Sequence, residues 1–380
     1  MRGLDQKAAL DRKCLLASVR TLVVKVGTRV ITQPNNALDL KVIEHLVESI
    51  AVLRQRGLNV ALVSSGAIGA GLGRLGLKQK PKAMPLLQAI AAVGQNQLMH
   101  HYKLAFRRRG IIIGQVLLTG DDVVERYLNV RSTFRALFDY GVVPIVNEND
   151  SVATEEIRVG DNDSLSAQVA NIIEADLLVI LSDIEGLYSD DPRKNGAARL
   201  MPVVTEVTDE IEEWAGQPGS DVGIGGMETK IAAAKMLTRV GEMMIIAHGK
   251  RHRLVDILDG QELGTLFLPS GDRLTSRKRR IAFAQEKKGT LVVDRGAVEA
   301  ITSRGKSLLP SGVIDVHGEF RQGDMVGVED DEQAEFARGL VNYAWDDVWR
   351  IRGKKSNEIE RLLGHRYYEE VIHRDNLVVL

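Results

Sequence analysis

The chain has 380 residues, 44% of them hydrophobic, with 50 Lys plus Arg against 51 Asp plus Glu and a formal net charge of −1. That length supports two or three domains, each with its own core, and the composition excludes a disordered or fibrous protein. A single cysteine, Cys14, rules out an intrachain disulfide or a cysteine-rich zinc site and fits a reducing, cytoplasmic setting. No apolar run approaches the roughly eighteen residues that a membrane span needs, so no membrane partner is expected. The first residues carry Arg2, Lys7, Arg12 and Lys13 around an apolar stretch too short for a signal peptide, and 1–19 reads as a tail or partly ordered helix.

Strand and helix signals then alternate. Thr21 to Val26 is a strand, Leu38 to Arg56 an amphipathic helix stopped by Gly57, and Asn59 to Val63 the next strand. Met84 to Arg109 is helical, with Gly110 as its stop, and Ile111 to Leu118 is β-rich. Val142 to Val146 and Asp176 to Ser182 flank a helix in which Leu165, Val169, Ile172 and Ile173 recur at helical spacing. Met243 to Ala247 and Gly264 to Leu268 close the series. The alternation predicts an α/β domain with a mostly parallel sheet and helices on both faces. After Pro269 the polar, basic stretch with Arg277, Lys278, Arg279 and Arg280 reads as a linker. Short strands punctuated by glycine follow, Thr290 to Val293, Gly312 to Val316 and Met325 to Val328, and mark a small β-rich domain. Residues 281–380 hold 14 Lys plus Arg against 18 Asp plus Glu, so no broad basic face is offered to nucleic acid.

The chemistry gathers where strands end. Val159 to Ser166 reads V-G-D-N-D-S-L-S, with Asn147-Glu-Asn-Asp150 just before it. Asp163 or Ser164 would cap the following helix and leave Asp161 and Asn162 in the loop. Such a cluster of Asn147, Asp150, Asp161, Asn162 and Asp163 calls for a charged ligand or a lysine to hold. Lys25 ends the first strand, ahead of Gly27, and Ser64-Ser65-Gly66 ends the second. Gly223-Ile-Gly225-Gly226-Met-Glu-Thr229-Lys230 opens a helix whose free N–H groups and lysine form a phosphate cradle. Two lysines, Lys25 and Lys230, with Asp163 between them suit phosphoryl transfer to an acid, because that reaction is mostly positioning and charge neutralisation. Gly71-Leu-Gly73-Arg-Leu-Gly76 satisfies the dinucleotide fingerprint, but it starts well past Val63 and no Asp or Glu lies between Leu77 and Gly120, so a nicotinamide dehydrogenase is set aside. His100 and His101 read as surface residues, and Trp214, Trp345 and Trp349 as packing residues.

T-L-V-V-K-V-G-T, S-S-G-A-I, V-P-I-V-N-E-N-D, V-G-D-N-D-S-L-S-A, S-D-I-E-G-L-Y and G-G-M-E-T-K resemble, in order and spacing, the amino acid kinase family. The late V-D-R-G-A, G-K-S-L-L-P-S-G-V and H-R-D look like a PUA domain, and the two resemblances together cover residues 20 to 375. They imply a three-layer α/β/α sandwich over 20–268, a linker over 269–288, a PUA barrel over 289–367 and a tail over 368–380. The activity implied is ATP-dependent phosphorylation of the glutamate side-chain carboxylate, the first step of proline biosynthesis. Another acid kinase of the family and an RNA-associated protein are the alternatives. By the resemblance, Lys25 and Lys230 would stabilise the moving phosphoryl group and Asp163 would orient them. Ser65, Asn147, Asp150, Asp161 and Asn162 would bind glutamate. ATP would lie against Lys25, Ser182, Asp183 and the run Ile224, Gly225, Gly226, Met227, Glu228, Thr229 and Lys230, with Mg2+ on its phosphates. A homo-oligomer and proline as feedback inhibitor are family expectations. Ser64 and Ser182 stand where threonine is usual, and Ile224 replaces a common threonine.

Overall fold

The computed structural model describes residues 12–77, 79–119, 122, 126–151, 162–190, 195–216, 226–270 and 287–379. The chain divides into two compact units, Met1–Val124 with Val130–Gly271 and Glu125–Asn129 with Asp272–Leu380.

In chain order, α1 (Arg12–Ala17) precedes β1 (Thr21–Val26), and α2 (Thr28–Ile31) and α3 (Leu40–Gln55) lead to β2 (Asn59–Ser64). Asp39 caps α3 by accepting from the Val42 N–H, satisfying one of the helix's orphan donors. There follow α4 (Ala67–Leu75), α5 (Met84–Arg107), β3 (Ile113–Leu118), α6 (Tyr127–Asp139), β4 (Val143–Glu148), α7 (Asn162–Ile172) and β5 (Leu177–Ser182). β6 (Val203–Val204), α8 (Asp209–Gly216), α9 (Met227–Arg239), β7 (Met243–His248), α10 (Leu254–Leu258) and β8 (Thr265–Phe267) complete the described elements of the first unit.

The eight strands pair in the order β3-β4-β2-β1-β5-β7-β8-β6. All neighbours from β3 to β7 are parallel, as the alternation predicts; β8 departs by running antiparallel to β7, with β6 parallel to it. Leu22, Val23, Val24 and Val26 are fully buried. Successive strand residues point to opposite faces, so both faces of β1 are covered, and this explains why the strand reads as a continuous apolar run. From β1 the chain leaves towards β2 on one side and returns through β5 on the other. Ligands collect outside the carboxyl ends of strands at such a reversal. Register brings the site residues level there: Lys25 lies opposite Val63 and Ile180, and Val63 lies opposite Val146.

The G-x-G-x-x-G run lies inside α4 and past it, and the glycines serve packing. A Cβ on Gly71 would fall 2.0 Å from the Ile90 carbonyl oxygen of α5, and one on Gly94 would fall 1.7 Å from that of Ala67. The two helices therefore touch backbone to backbone. Gly66 starts α4 at φ 105 and Gly76 ends it at φ 67, both in the left-handed region that favours glycine.

The second unit contains β9 (Gly289–Val293), α11 (Arg295–Thr302), β10 (Val313–His317), β11 (Met325–Glu329), β12 (Glu335–Leu340), α12 (Trp345–Ile351), α13 (Ile359–Leu363) and β13 (Leu377–Val379). Its strands form a separate sheet in the order β10-β9-β11-β12-β13, around a core that includes Leu291, Phe320, Val326, Val341 and Ile372. Residues beyond 367, read from the sequence as a tail, supply β13 and the buried Val371 and Ile372. The packing role expected of Trp345 and Trp349 is corrected: they are 40% and 49% exposed, because Val348 and Ile351 take the inward face of α12. The Arg352 guanidinium lies 4.0 Å from the Trp349 ring centroid. The Arg277 to Arg280 run lies outside the described residues.

Gly94→Ala is expected to destabilise the protein by at least the roughly 1–3 kcal/mol typical of overpacking, since only backbone faces the added methyl. Gly196→Ala, where an added Cβ meets nothing within 4 Å, should stay within about 0.5 kcal/mol. Urea unfolding of the two variants beside the parent checks this.

Candidate active site

At the carboxyl ends of the strands one buried carboxylate holds two cations. Lys25 Nζ, from β1, lies 2.6 Å from Asp163 Oδ1, and Lys230 Nζ, from α9, lies 3.0 Å from Asp163 Oδ2. Thr229 Oγ1 lies 2.8 Å from the same Oδ2, and Lys230 Nζ also donates to the Gly226 carbonyl at 3.2 Å. Asp163 is wholly buried, and Lys25 and Lys230 are nearly so. Burial alone would raise the Asp163 carboxyl, but the charges and hydrogen bonds of Lys25 and Lys230 hold it below the usual carboxylate range. Burial lowers Lys230, against the opposing pull of Asp163, and the neighbouring charge of Lys25 lowers it further. Among the described residues two ammonium groups thus share one carboxylate in a site shielded from water.

The expectation that Asp163 or Ser164 caps α7 is corrected. The helix begins at Asn162, so Asp163 lies in its first turn, and its side chain is committed to the lysines. α9 starts at Met227 behind the extended N-cap Gly226, which has no side chain to cap it; a Cβ there would meet nothing within 4 Å. Uncapped N–H donors, a partial positive charge and open space suit a phosphate.

Next to this positive centre lies a string of amides. Asn162 Nδ2 donates to Ser65 Oγ at 2.9 Å and to Asn147 Oδ1 at 2.9 Å, and Asn147 Nδ2 donates to Gln95 Oε1 at 2.9 Å. Beneath Ser65, Ser64 Oγ donates to the Ser65 carbonyl at 3.0 Å and lies 2.8 Å from the hydroxyl of the fully buried Tyr102. Asp150 is also buried, and its Oδ1 has no hydrogen-bond partner among the described residues. Burial, reinforced by the charge of Glu148 and only partly offset by Lys80, pushes the Asp150 carboxyl up to about 7.

On the far side, Ser182 Oγ donates to Asp183 Oδ1 at 3.2 Å, and Arg29 Nη1 lies 3.2 Å from Asp183 Oδ2. Glu185 accepts from Arg251 at 2.6 Å and lies 2.5 Å from His252 Nε2. The structure thus gathers Lys25, Asp163, Thr229 and Lys230 in one group, with Gly226 in contact through its carbonyl, and Ser65, Asn147 and Asn162 in an adjoining one. Met227 occupies the first turn of α9, and Glu228 is exposed beside it. Asp161, Ile224 and Gly225 lie outside the described residues.

Residues 20–248 match the Amino acid kinase family. The chain belongs to that family. Residues 289–363 match the PUA domain, so this member carries its kinase domain ahead of a PUA domain. The chain is 51% identical over 369 residues to a protein named glutamate 5-kinase from Carboxydothermus hydrogenoformans, covering 96% of this chain and 99% of that one. It is 50% identical over 362 residues to the protein of that name from Thermoanaerobacter sp., covering 94% and 97%. Among solved structures, carbamate kinase from Giardia lamblia bound to AMP-PNP aligns with a TM-score of 0.49 at 18% identity, covering 66% of this chain and 99% of that one. That likeness is too distant to carry a functional argument.

Sequence reasoning missed Gln95, Tyr102 and the Glu185–Arg251–His252 group. Glu185 stands in the quoted S-D-I-E-G-L-Y segment and could have been singled out; Gln95 and Tyr102 sit in α5, where nothing local distinguishes them from an ordinary amphipathic helix.

Asp163→Asn is expected to cost about 3–5 kcal/mol, the scale of breaking a buried ion pair, because it strands two buried lysines. Adding Lys230→Met should recover part of that loss by removing one of them. Denaturant unfolding of the single and double variants measures the coupling.

Proposed function

We propose that this amino acid kinase transfers the γ-phosphate of ATP to the side-chain carboxylate of L-glutamate, giving L-glutamyl 5-phosphate, the first step of proline biosynthesis. The observation that carries the reading is the convergence of Lys25 and Lys230, from opposite ends of the kinase domain's sequence, on the two oxygens of Asp163. Near-full-length identity of about one half to proteins named glutamate 5-kinase supports the choice of acceptor.

A glutamate carboxylate oxygen attacks the γ-phosphorus; the bond from phosphorus to the ADP bridging oxygen breaks, and its electron pair leaves on ADP. The carboxylate is already ionised, so no general base is required. The charge that needs stabilising lies on the phosphoryl oxygens and the leaving group, where Lys25 and Lys230 supply it. Asp163 holds both lysines in register. The start of α9, with Gly226 to Lys230, receives the ATP phosphates, and Ser182 and Asp183 flank the nucleotide. We propose magnesium as the counter-ion of ATP, whose phosphates supply the hard oxygen ligands it prefers. Among the described residues no three His, Cys, Asp or Glu side chains form a metal site of their own.

Ser65, Asn147, Asp150 and Asn162, with Asp161 by the family resemblance, form the glutamate pocket. β1 and β4 are two strand spacings apart, about 10 Å. That span accommodates a phosphoryl group at the lysines and the α-end of glutamate near β4, where Asp150 meets the ammonium. Proline inhibition and a homo-oligomer remain family-based proposals. No described helix is long and apolar enough to cross a membrane.

An ATP-dependent hydroxamate assay tests the reaction, since hydroxylamine traps an acyl phosphate. Product is expected with glutamate and not with aspartate or N-acetylglutamate; no product with glutamate refutes the acceptor. Lys230→Ala should lower turnover about 10²–10³-fold, the scale of losing one preorganised transition-state donor, and a near-normal rate removes Lys230 from the mechanism.

Asp150 gives a pH prediction. Its carboxyl is half protonated near pH 7, and an incoming ammonium favours the ionised form. Glutamate binding should therefore release about half a proton near pH 7, and the glutamate KM should fall as pH rises from 6 to 8. Calorimetry in buffers of different ionisation enthalpy measures the release, and Asp150→Asn should abolish it.

A further inference from the structure

The amide string beside the lysines has a direction. Asn162 donates both amide hydrogens, to Ser65 and Asn147, and Asn147 donates to Gln95. Gln95 is thereby fixed as an acceptor through Oε1, and its amide nitrogen faces away from Asn147. That Nε2 is buried and has no hydrogen-bond partner among the described residues, as does Asn162 Oδ1 at the other end of the string. An unpaired buried donor is costly, so native proteins rarely keep one without a use.

The string's polarity states what the pocket accepts. Among the described residues its unpaired donor is Gln95 Nε2. Asn162 Oδ1 and, outside the string, Asp150 Oδ1 are acceptors without a partner among the described residues. A ligand bearing both a carboxylate and an ammonium satisfies all of them. Gln95 bonds to Asn147 of β4, two strands from the β1 that carries Lys25. It therefore stands at the end of the pocket away from phosphoryl transfer. The close contact of α4 with α5 at Gly71 and Gly94 seats it there, one residue past Gly94.

Resting on the glutamate reading above, we infer that Gln95 is a substrate-specificity residue whose Nε2 donates to the α-carboxylate of the acceptor, distinguishing an α-amino acid from a plain ω-amino acid. Asn147 and Asn162 hold it in that orientation.

The test measures hydroxamate formation with glutamate and with 4-aminobutanoate, which keeps the reacting carboxylate and lacks the α-carboxylate, in the parent, Gln95→Met and Gln95→Glu. Gln95→Met should lower kcat/KM for glutamate about 10- to 100-fold, mainly through KM, the scale of one hydrogen bond to a charged group. It should leave the KM for ATP within about threefold and lower 4-aminobutanoate, which still feels the lost Asn147 contact, clearly less than glutamate, so selectivity falls. Gln95→Glu keeps the acceptor for Asn147 and replaces the donor with a like charge, so it should be worse than Gln95→Met for glutamate. Equal losses on both substrates, or a near-normal Gln95→Glu, would show that Gln95 only orients Asn147 and overturn the inference. Parent enzyme that makes no glutamyl hydroxamate overturns the underlying reaction instead, which separates the two failures.

Discussion

The site depends on one buried carboxylate. Asp163 has no access to water, and an unpaired charge there would be expensive; two lysines from β1 and α9 and the Thr229 hydroxyl meet it instead. The three elements that deliver these groups, β1, α7 and α9, are thereby pinned at the carboxyl edge of the sheet. A single ion pair would be neutral. Among the described residues two cations share one anion, and the arrangement is held in place without a ligand, so it is preorganised.

The neighbouring pocket is tuned the opposite way. Asp150 is buried beside Glu148, so its carboxyl rises to about 7, whereas that of Asp163 falls. Both residues are aspartates at the same edge of one sheet. The difference lies in what faces them: cations for Asp163, and burial beside the like charge of Glu148, only partly offset by Lys80, for Asp150. Between these poles the neutral amides of Asn162, Asn147 and Gln95 carry orientation without net charge. The site therefore carries a graded field, with carboxylate and amide acceptors at one end and the lysines at the other.

Much of this was legible in the sequence. The strands of the first unit are β-branched runs buried on both faces, and their ends carry the polar motifs, so Lys25, Ser65, Asn147 and Asp163 could be placed at one sheet edge before any coordinates. The antiparallel turn of β8 was not legible, because a three-residue strand carries no direction in its pattern. Trp345 and Trp349 show a related limit: spacing of four places them on one helix face, but Val348 and Ile351 decide which face is inward. Gln95 was hidden for a different reason. Its partner Asn147 is 52 residues away, and its neighbours Ile90, Ala91, Gly94 and Leu98 mark a buried stripe against which Gln95, like Gln88 and Gln97 of the same helix, reads as a boundary residue.

The glycines of α4 connect these levels. Gly71 imitates part of a dinucleotide fingerprint because helix packing selects the same residue for the same reason, the absence of a side chain where backbones must meet. Here the opposing backbone is that of α5, not a pyrophosphate. Without Gly71 and Gly94 the two helices would have to separate, and α5 would carry both Gln95 and Tyr102 away from the end of β2. Tyr102 supports Ser64, Ser64 holds the Ser65 carbonyl, and Ser65 accepts from Asn162 immediately before Asp163. A packing choice made on α4 is thus transmitted, one hydrogen bond at a time, to the residue adjoining the lysine-bound carboxylate.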